Sequence, residues 1–155
     1  MQFSQLDRII EIEAGKSIKG NRVLRGDESY LGDHFPLFPV MPGVMILEAI
    51  FQAASWLLRY SNNFTDNIVE LREARNVKFQ DFVQPGMELT VTAEIVKQEG
   101  SLFTFKVIGT VHETTAVSAR LMLDCYSLGE RDSTRKYVDE RASKDYAEEF
   151  KRLFS

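Results

Sequence analysis

Residues 44–58 read VMILEAIFQAASWLL, a run without Gly or Pro that is apolar at Val44, Met45, Ile46, Leu47, Ile50, Phe51, Trp56, Leu57 and Leu58. A segment this long and apolar nearly all round predicts a helix buried by whatever surrounds it. Its polar side chains, Glu48, Gln52 and Ser55, continue to Arg59 at spacings of four, three and four, which gathers them into one stripe. Such a stripe faces water, a partner subunit or an internal cavity. For Ser55 and Arg59 the expectation is a solvent-facing edge. Glu48 stands apart, because it lies early in the helix, beside a proline-rich loop and among large apolar neighbours.

Downstream, residues 61–67 form a polar break. From there to about Leu128 the pattern is that of strands. Leu89, Val91, Ala93 and Ile95 alternate with Glu88, Thr90, Thr92 and Glu94, the period of a sheet with one buried face. Phe103, Phe105, Val107 and Val111, then Val117, Ala119, Leu121, Leu123 and Cys125, continue it. The short polar breaks at Gln98 to Ser101 and His112 to Thr115 have hairpin length, which predicts an antiparallel meander. Ile68 to Phe79 reads as a strand before it. Arg8 to Ala14, Ser17 to Leu24 and Glu28 to Leu31 are weaker strand candidates. The fold class expected is α+β: one long buried helix wrapped by a curved antiparallel sheet. In the charged tail, Val138, Ala142, Tyr146, Phe150 and Leu153 recur at helical spacing. They predict an amphipathic surface helix with Asp132 or Ser133 as its N-cap, a partner-binding helix being the alternative.

Upstream of the helix, His34 to Gly43 holds three of the chain's four prolines. Proline fixes φ and removes a donor, so this is a rigid loop rather than an interior strand. His34 is either a general base or a histidine that only hydrogen-bonds a nearby backbone group. Pro42 suits the first helical position and Gly43 the second. Met41, just before, has no side-chain oxygen to cap the free amides. An unobstructed Gly43 amide at the positive end of the helix dipole suits a carbonyl on which negative charge develops. Glu48 lies about 8 Å further along the axis. If Phe35, Phe38, Met41 and Ile46 line a shared cavity, desolvation raises a carboxyl pKa and lowers a histidine pKa. A neutral base, a proton-bearing acid and a carbonyl-polarising amide suit removal of a proton next to a carbonyl with loss of a hydroxyl as water.

The length of 155 residues predicts one domain. A formal charge of −4 without a block of Lys and Arg argues against nucleic acid as a partner. Cys125 is the only cysteine, so one chain can build neither a disulfide nor a cysteine-based metal site, in keeping with a reducing cytoplasm. Acids within Met1 to Ala14 argue against a signal peptide, and the interrupted apolar stretch argues against a membrane span.

The order His34-Phe35-Pro36, Pro39-Val40-Met41-Pro42-Gly43-Val44, Glu48-Ala49 and Gln52 resembles the 3-hydroxyacyl-(acyl-carrier-protein) dehydratases of dissociated fatty acid synthesis. Asp7-Arg8-Ile9, Lys78-Phe79, Val83, Pro85 and Gly86 extend the resemblance over Leu6 to Leu128. It divides the chain into a dehydratase-like domain, 1–129, and an appended charged helix, 130–155. The resemblance implies a hot-dog fold and a homodimer with paired sheets, extendable to a trimer of dimers. In it His34 of one chain faces Glu48 of the partner subunit across a tunnel. His34 and Glu48 are then the catalytic pair, the Gly43 amide binds the thioester carbonyl, and Phe35, Met41 and Val44 line the tunnel. No metal or organic cofactor is implied. Glutamate at position 48 resembles the branch that dehydrates without isomerising the double bond. Because acyl carrier protein is acidic, Arg72, Arg75, Lys78 and Arg120 are candidate docking residues. Asp33, Leu37 and Met87 depart from the family pattern. Asp33 would tend to raise the pKa of His34. The alternatives are a thioester dehydratase of a specialised lipid, polyketide or pigment pathway, and a non-catalytic carrier-protein-binding module.

Overall fold

The computed structural model describes residues 4–32 and 39–154. His34, Phe35, Asp33 and Leu37 lie outside the described residues. The expected long helix is α1, Gly43–Ser61. Around it run β1 (Arg8–Glu13), β2 (Ser17–Val23), β3 (Ile68–Phe79), β4 (Glu88–Glu99), β5 (Leu102–Val111) and β6 (Thr114–Tyr126). All neighbours are antiparallel, in the order β1-β2-β4-β5-β6-β3. The meander β4-β5-β6 is the expected one. Its second hairpin joins Val111 to Thr114 through His112 and Glu113, both at positive φ, the backbone that a two-residue primed turn requires.

The inward residues of the meander, Leu89, Val91, Ala93, Phe105, Val107, Val117, Ala119, Leu121 and Leu123, are buried together with Ile46, Ala49, Ile50, Ala53, Ala54 and Leu57 of α1. The alanines let the helix backbone approach the sheet. At Gly109 a Cβ would stand 2.6 Å from Val117 Cγ1, so β5 needs a glycine where it passes β6. β3 is an edge strand, largely exposed, with irregularities between Leu71 and Glu73 and between Arg75 and Lys78.

Three expectations change. Glu28 to Leu31 is no strand; a 3-10 turn spans Ser29–Gly32. The Glu28 carboxylate accepts the amides of Arg25 (3.1 Å) and Gly26 (2.8 Å) and pairs with the buried Arg22 guanidinium at 2.9 Å. This local bonding competes with strand pairing. Burial works against the Glu28 carboxylate, but the amides of Arg25, Gly26 and Glu28, with Arg22, bring its pKa below the usual range. In the tail, Asp132 caps a short 3-10 turn, Ser133–Arg135, by accepting from the Thr134 amide at 3.1 Å. After a short α2 (Leu128–Arg131), the long helix α3 starts only at Lys136 and ends at Leu153, without a side-chain cap.

The third change concerns the polar stripe. α3 lies over the far end of α1, with Tyr146 edge-on to Trp56 at 5.8 Å and Phe150 stacked on Tyr60 at 5.0 Å. Ser55 is therefore buried rather than solvent-facing, and Arg59 is partly covered. No helix among the described residues is long and apolar enough to cross a membrane.

Candidate active site

The start of α1 is held from below. The Met41 amide donates to the Val83 carbonyl at 2.8 Å, and Met41 is buried. Pro42 is the N-cap and Gly43 the first helical residue, one position later than expected for Pro42. Pro42 makes no side-chain cap, and its carbonyl accepts from Met45 (2.9 Å) and Ile46 (3.1 Å). Among the described residues the Gly43 amide has no hydrogen-bond partner. It borders a cleft of about 310 Å³ between Val40, Met41, Ile46, Phe79, Asp81 and Phe82. A Cβ at Gly43 would lie 3.0 Å from Phe79 Cζ, so glycine lets that ring rest against the helix start. Phe79 and Phe82 are both exposed.

Glu48 opens elsewhere. It is exposed in the single chain rather than enclosed by apolar neighbours, because it sits on the polar stripe that α1 turns away from the sheet. Its Oε1 accepts from Gln52 Nε2 at 2.9 Å, and Gln52 Oε1 accepts the Gln5 amide at 2.7 Å. The cleft beside it, about 210 Å³, is bounded by Ser4, Phe51, Ser55, Trp56, Arg59 and Tyr146, with Glu149 at its rim. The two clefts share no residue. On an ideal helix Glu48 lies about 140° around the axis from Gly43.

Of the other expected residues, Met41 joins the Gly43 cleft, whereas Val44 is 70% exposed and borders neither cleft. Arg72 pairs with Asp124 at 2.9 Å and Glu70 at 3.2 Å, and Arg75 with Glu73 at 2.7 Å. Their charge is largely spent within the chain. Lys78 and Arg120 are exposed and form no ion pair among the described residues. Arg120 stands between Arg75 and Lys106 in register across β3, β6 and β5. Lys106 completes this basic row and was not anticipated; its position opposite Arg120 depends on strand register, which sequence spacing does not fix.

Also unanticipated were Phe51, Trp56, Tyr146 and Glu149 beside Glu48, and Phe79 and Phe82 beside Gly43. The aromatic stripe of the tail was visible in the sequence, but nothing there said which helix it covers. Among the described residues no cluster of His, Cys, Asp and Glu could hold a metal ion.

The FabA-like domain family matches residues 1–120, most of the chain. This chain belongs to the FabA-like family. The chain is similar to the 3-hydroxyacyl-(acyl-carrier-protein) dehydratase FabZ of Geobacillus thermodenitrificans, 35% identical over 129 residues, covering 83% of this chain and 87% of that protein. The FabZ of Levilactobacillus brevis is 38% identical over 116 residues, covering 75% and 78%. Among solved structures, the dehydratase heterocomplex ApeI:P of Xenorhabdus doucetiae has a TM-score of 0.65 at 17% identity, covering 84% of this chain and 88% of that one. A mutant thioesterase of Pseudomonas aeruginosa reaches 0.62 at 12% identity, covering 78% and 81%. These neighbours share the α+β hot-dog fold with the FabA-like chain. Because both dehydratases and thioesterases carry it, the fold does not choose the reaction.

Proposed function

We propose that this chain is a hydro-lyase of fatty acid biosynthesis that converts (3R)-3-hydroxyacyl-(acyl-carrier-protein) to the trans-2-enoyl thioester and water. The Gly43 amide donates to the thioester oxygen, where charge gathers as the C2 proton leaves. His34 takes that proton. Glu48 gives its proton to the C3 hydroxyl, the C3–O bond breaks, water departs, and the electron pair from C2–H becomes the double bond. Proton return from His34 to Glu48 completes the cycle. None of these steps draws on a metal or an organic cofactor.

The observation that carries this reading is the likeness to the FabZ dehydratases, 35% and 38% identical over most of the chain; within one chain the Gly43 amide and the Glu48 carboxylate nevertheless open into different clefts, a separation that needs bridging. A two-fold dimer resolves it, because one chain's helix start then meets the partner subunit's Glu48. The exposed β3 edge supports such pairing: its backbone groups are open, and Val44, Leu71, Phe79 and Phe82 add apolar surface nearby. The partner subunit would enclose the carboxylate that a single chain leaves exposed. Acyl carrier protein, being acidic, docks on Arg120 and Lys106 with Lys78 beside them, in the cytoplasm. Incubation with 3-hydroxyacyl-carrier-protein, followed by chromatography for the enoyl product, tests the assignment. Absence of product from the wild type, or release of free carrier thiol instead, overturns it.

A further inference from the structure

The cleft beside Glu48 has a far end made by the tail. Arg59 lies eleven positions after Glu48, so an ideal helix places them about 16 Å apart along the axis and within about 20° of the same face. Between them lie Phe51, Gln52, Ser55 and Trp56, and α3 closes the end with Tyr146 and Glu149. Arg59 is the unusual member. Its guanidinium carbon stands 4.0 Å from the Tyr146 ring centre and 5.6 Å from that of Trp56. Nε and Nη2 both donate to one acceptor, the Asn67 carbonyl, each at 3.1 Å. No carboxylate among the described residues lies within ion-pair distance of it, and Glu149 is engaged by Arg152. Nη1 makes no hydrogen bond among the described residues.

A partly covered guanidinium without a counter-charge costs desolvation energy that aromatic faces offset only in part. Removing it further from water under an alkyl chain would add to that cost. An oxygen-bearing chain end would instead receive a charge-assisted hydrogen bond. We propose that this cleft receives the distal end of the acyl chain, and that Arg59, held by Tyr146 and Trp56, selects chains ending in a hydrogen-bond-accepting oxygen, an ω-carboxylate foremost. The substrate class is then a 3-hydroxyacyl thioester long enough to span three helical turns and polar at its far end. Arg59 is a specificity-determining residue, and the tail helix is part of the substrate site. This inference rests on the dehydratase reading of Glu48.

The test compares 3-hydroxyacyl-carrier-proteins of equal chain length ending in methyl or in carboxylate, with 3-hydroxybutyryl-carrier-protein as a substrate too short to reach Arg59. Wild type is expected to favour the carboxylate end in kcat/KM by about tenfold or more, the size of one charge-assisted hydrogen bond. In Arg59→Met that ratio falls to one or below. Arg59→Lys, which keeps the charge but not the planar fork, retains part of the preference and serves where Arg59→Met does not fold. Each ratio is taken within one variant, so lost stability alone does not move it. Equal turnover of the two ends by wild type, or a preference unchanged in Arg59→Met and Arg59→Lys, overturns the inference while the dehydratase assignment stands. Failure to dehydrate any of the three substrates overturns the assignment and this inference with it.

Discussion

Replacing Phe150 with alanine removes the ring on which the tail helix is seated. Phe150 is buried at 8% exposure, and its ring centre lies 5.0 Å from that of Tyr60, 5.6 Å from Phe64, 6.2 Å from Trp56 and 5.6 Å from Phe154. Truncation of a buried phenylalanine costs about 3–5 kcal/mol, because the lost transfer energy is joined by a cavity that surrounding atoms only partly fill. Tyr146 and Leu153 still anchor α3 on either side of the hole, which favours the lower figure. At about 2–4 °C per kcal/mol for a domain of this size, a loss of about 3 kcal/mol lowers Tm by about 6–12 °C. Urea denaturation gives the free energy, and amide hydrogen exchange shows where it is lost: α3 amides should exchange faster than those of the β4-β5-β6 meander. A loss below about 1 kcal/mol, with α3 amides protected as in wild type, would refute the claim that this cluster holds the tail on α1.

Two further outcomes follow from packing and charge. Gly109→Ala places a methyl 2.6 Å from Val117 Cγ1 and 3.1 Å from Leu89 Cδ1, so overpacking should cost about 1–3 kcal/mol in denaturant titration; an unchanged midpoint would contradict the close passage of β5 and β6. Asp124 accepts from the Ser101 hydroxyl (2.6 Å), Arg72 (2.9 Å) and Arg131 (3.1 Å), and these bonds hold its carboxyl below the usual range. A depressed carboxyl stabilises the fold fully above the unfolded pKa, near 3.9, and loses that contribution as pH falls through the folded pKa. The stability advantage of wild type over Asp124→Asn should thus be level above about pH 5 and shrink below about pH 4; an advantage constant to pH 2 would contradict it.

Much of this fold is legible in the chain because its signals are long and redundant. α1 carries apolar residues over four turns, and β4, β5 and β6 each repeat the period-two pattern through several cycles. Glu28 to Leu31 misleads because a carboxylate that gathers two amides and a guanidinium makes a turn that hydrophobic pattern cannot register. The helix start is legible through Pro42 and Gly43, whose chemistry is local. Ser55 and Arg59 are misread as solvent-facing for a different reason. Which surface a helix covers depends on pairing between distant stripes, here Trp56 and Tyr60 with Tyr146 and Phe150, and periodicity within one helix carries no information about its partner. The same limit hides Lys106 beside Arg120, since cross-strand register is a property of two strands together.

The central claim is a site shared between two subunits, with the proline loop and Gly43 from one chain and Glu48 from the other. Mixing of two inactive variants tests it most directly. His34→Ala and Glu48→Gln are each expected to abolish enoyl formation as homodimers. Unfolded and refolded together, they form mixed dimers in which one of the two sites regains both wild-type residues. Random pairing then restores about a quarter of wild-type turnover, as half of the dimers are mixed and each has one intact site. Turnover that stays at the background of the separate variants, in a sample shown to contain mixed dimers, would contradict a shared site and place the whole reaction within one chain.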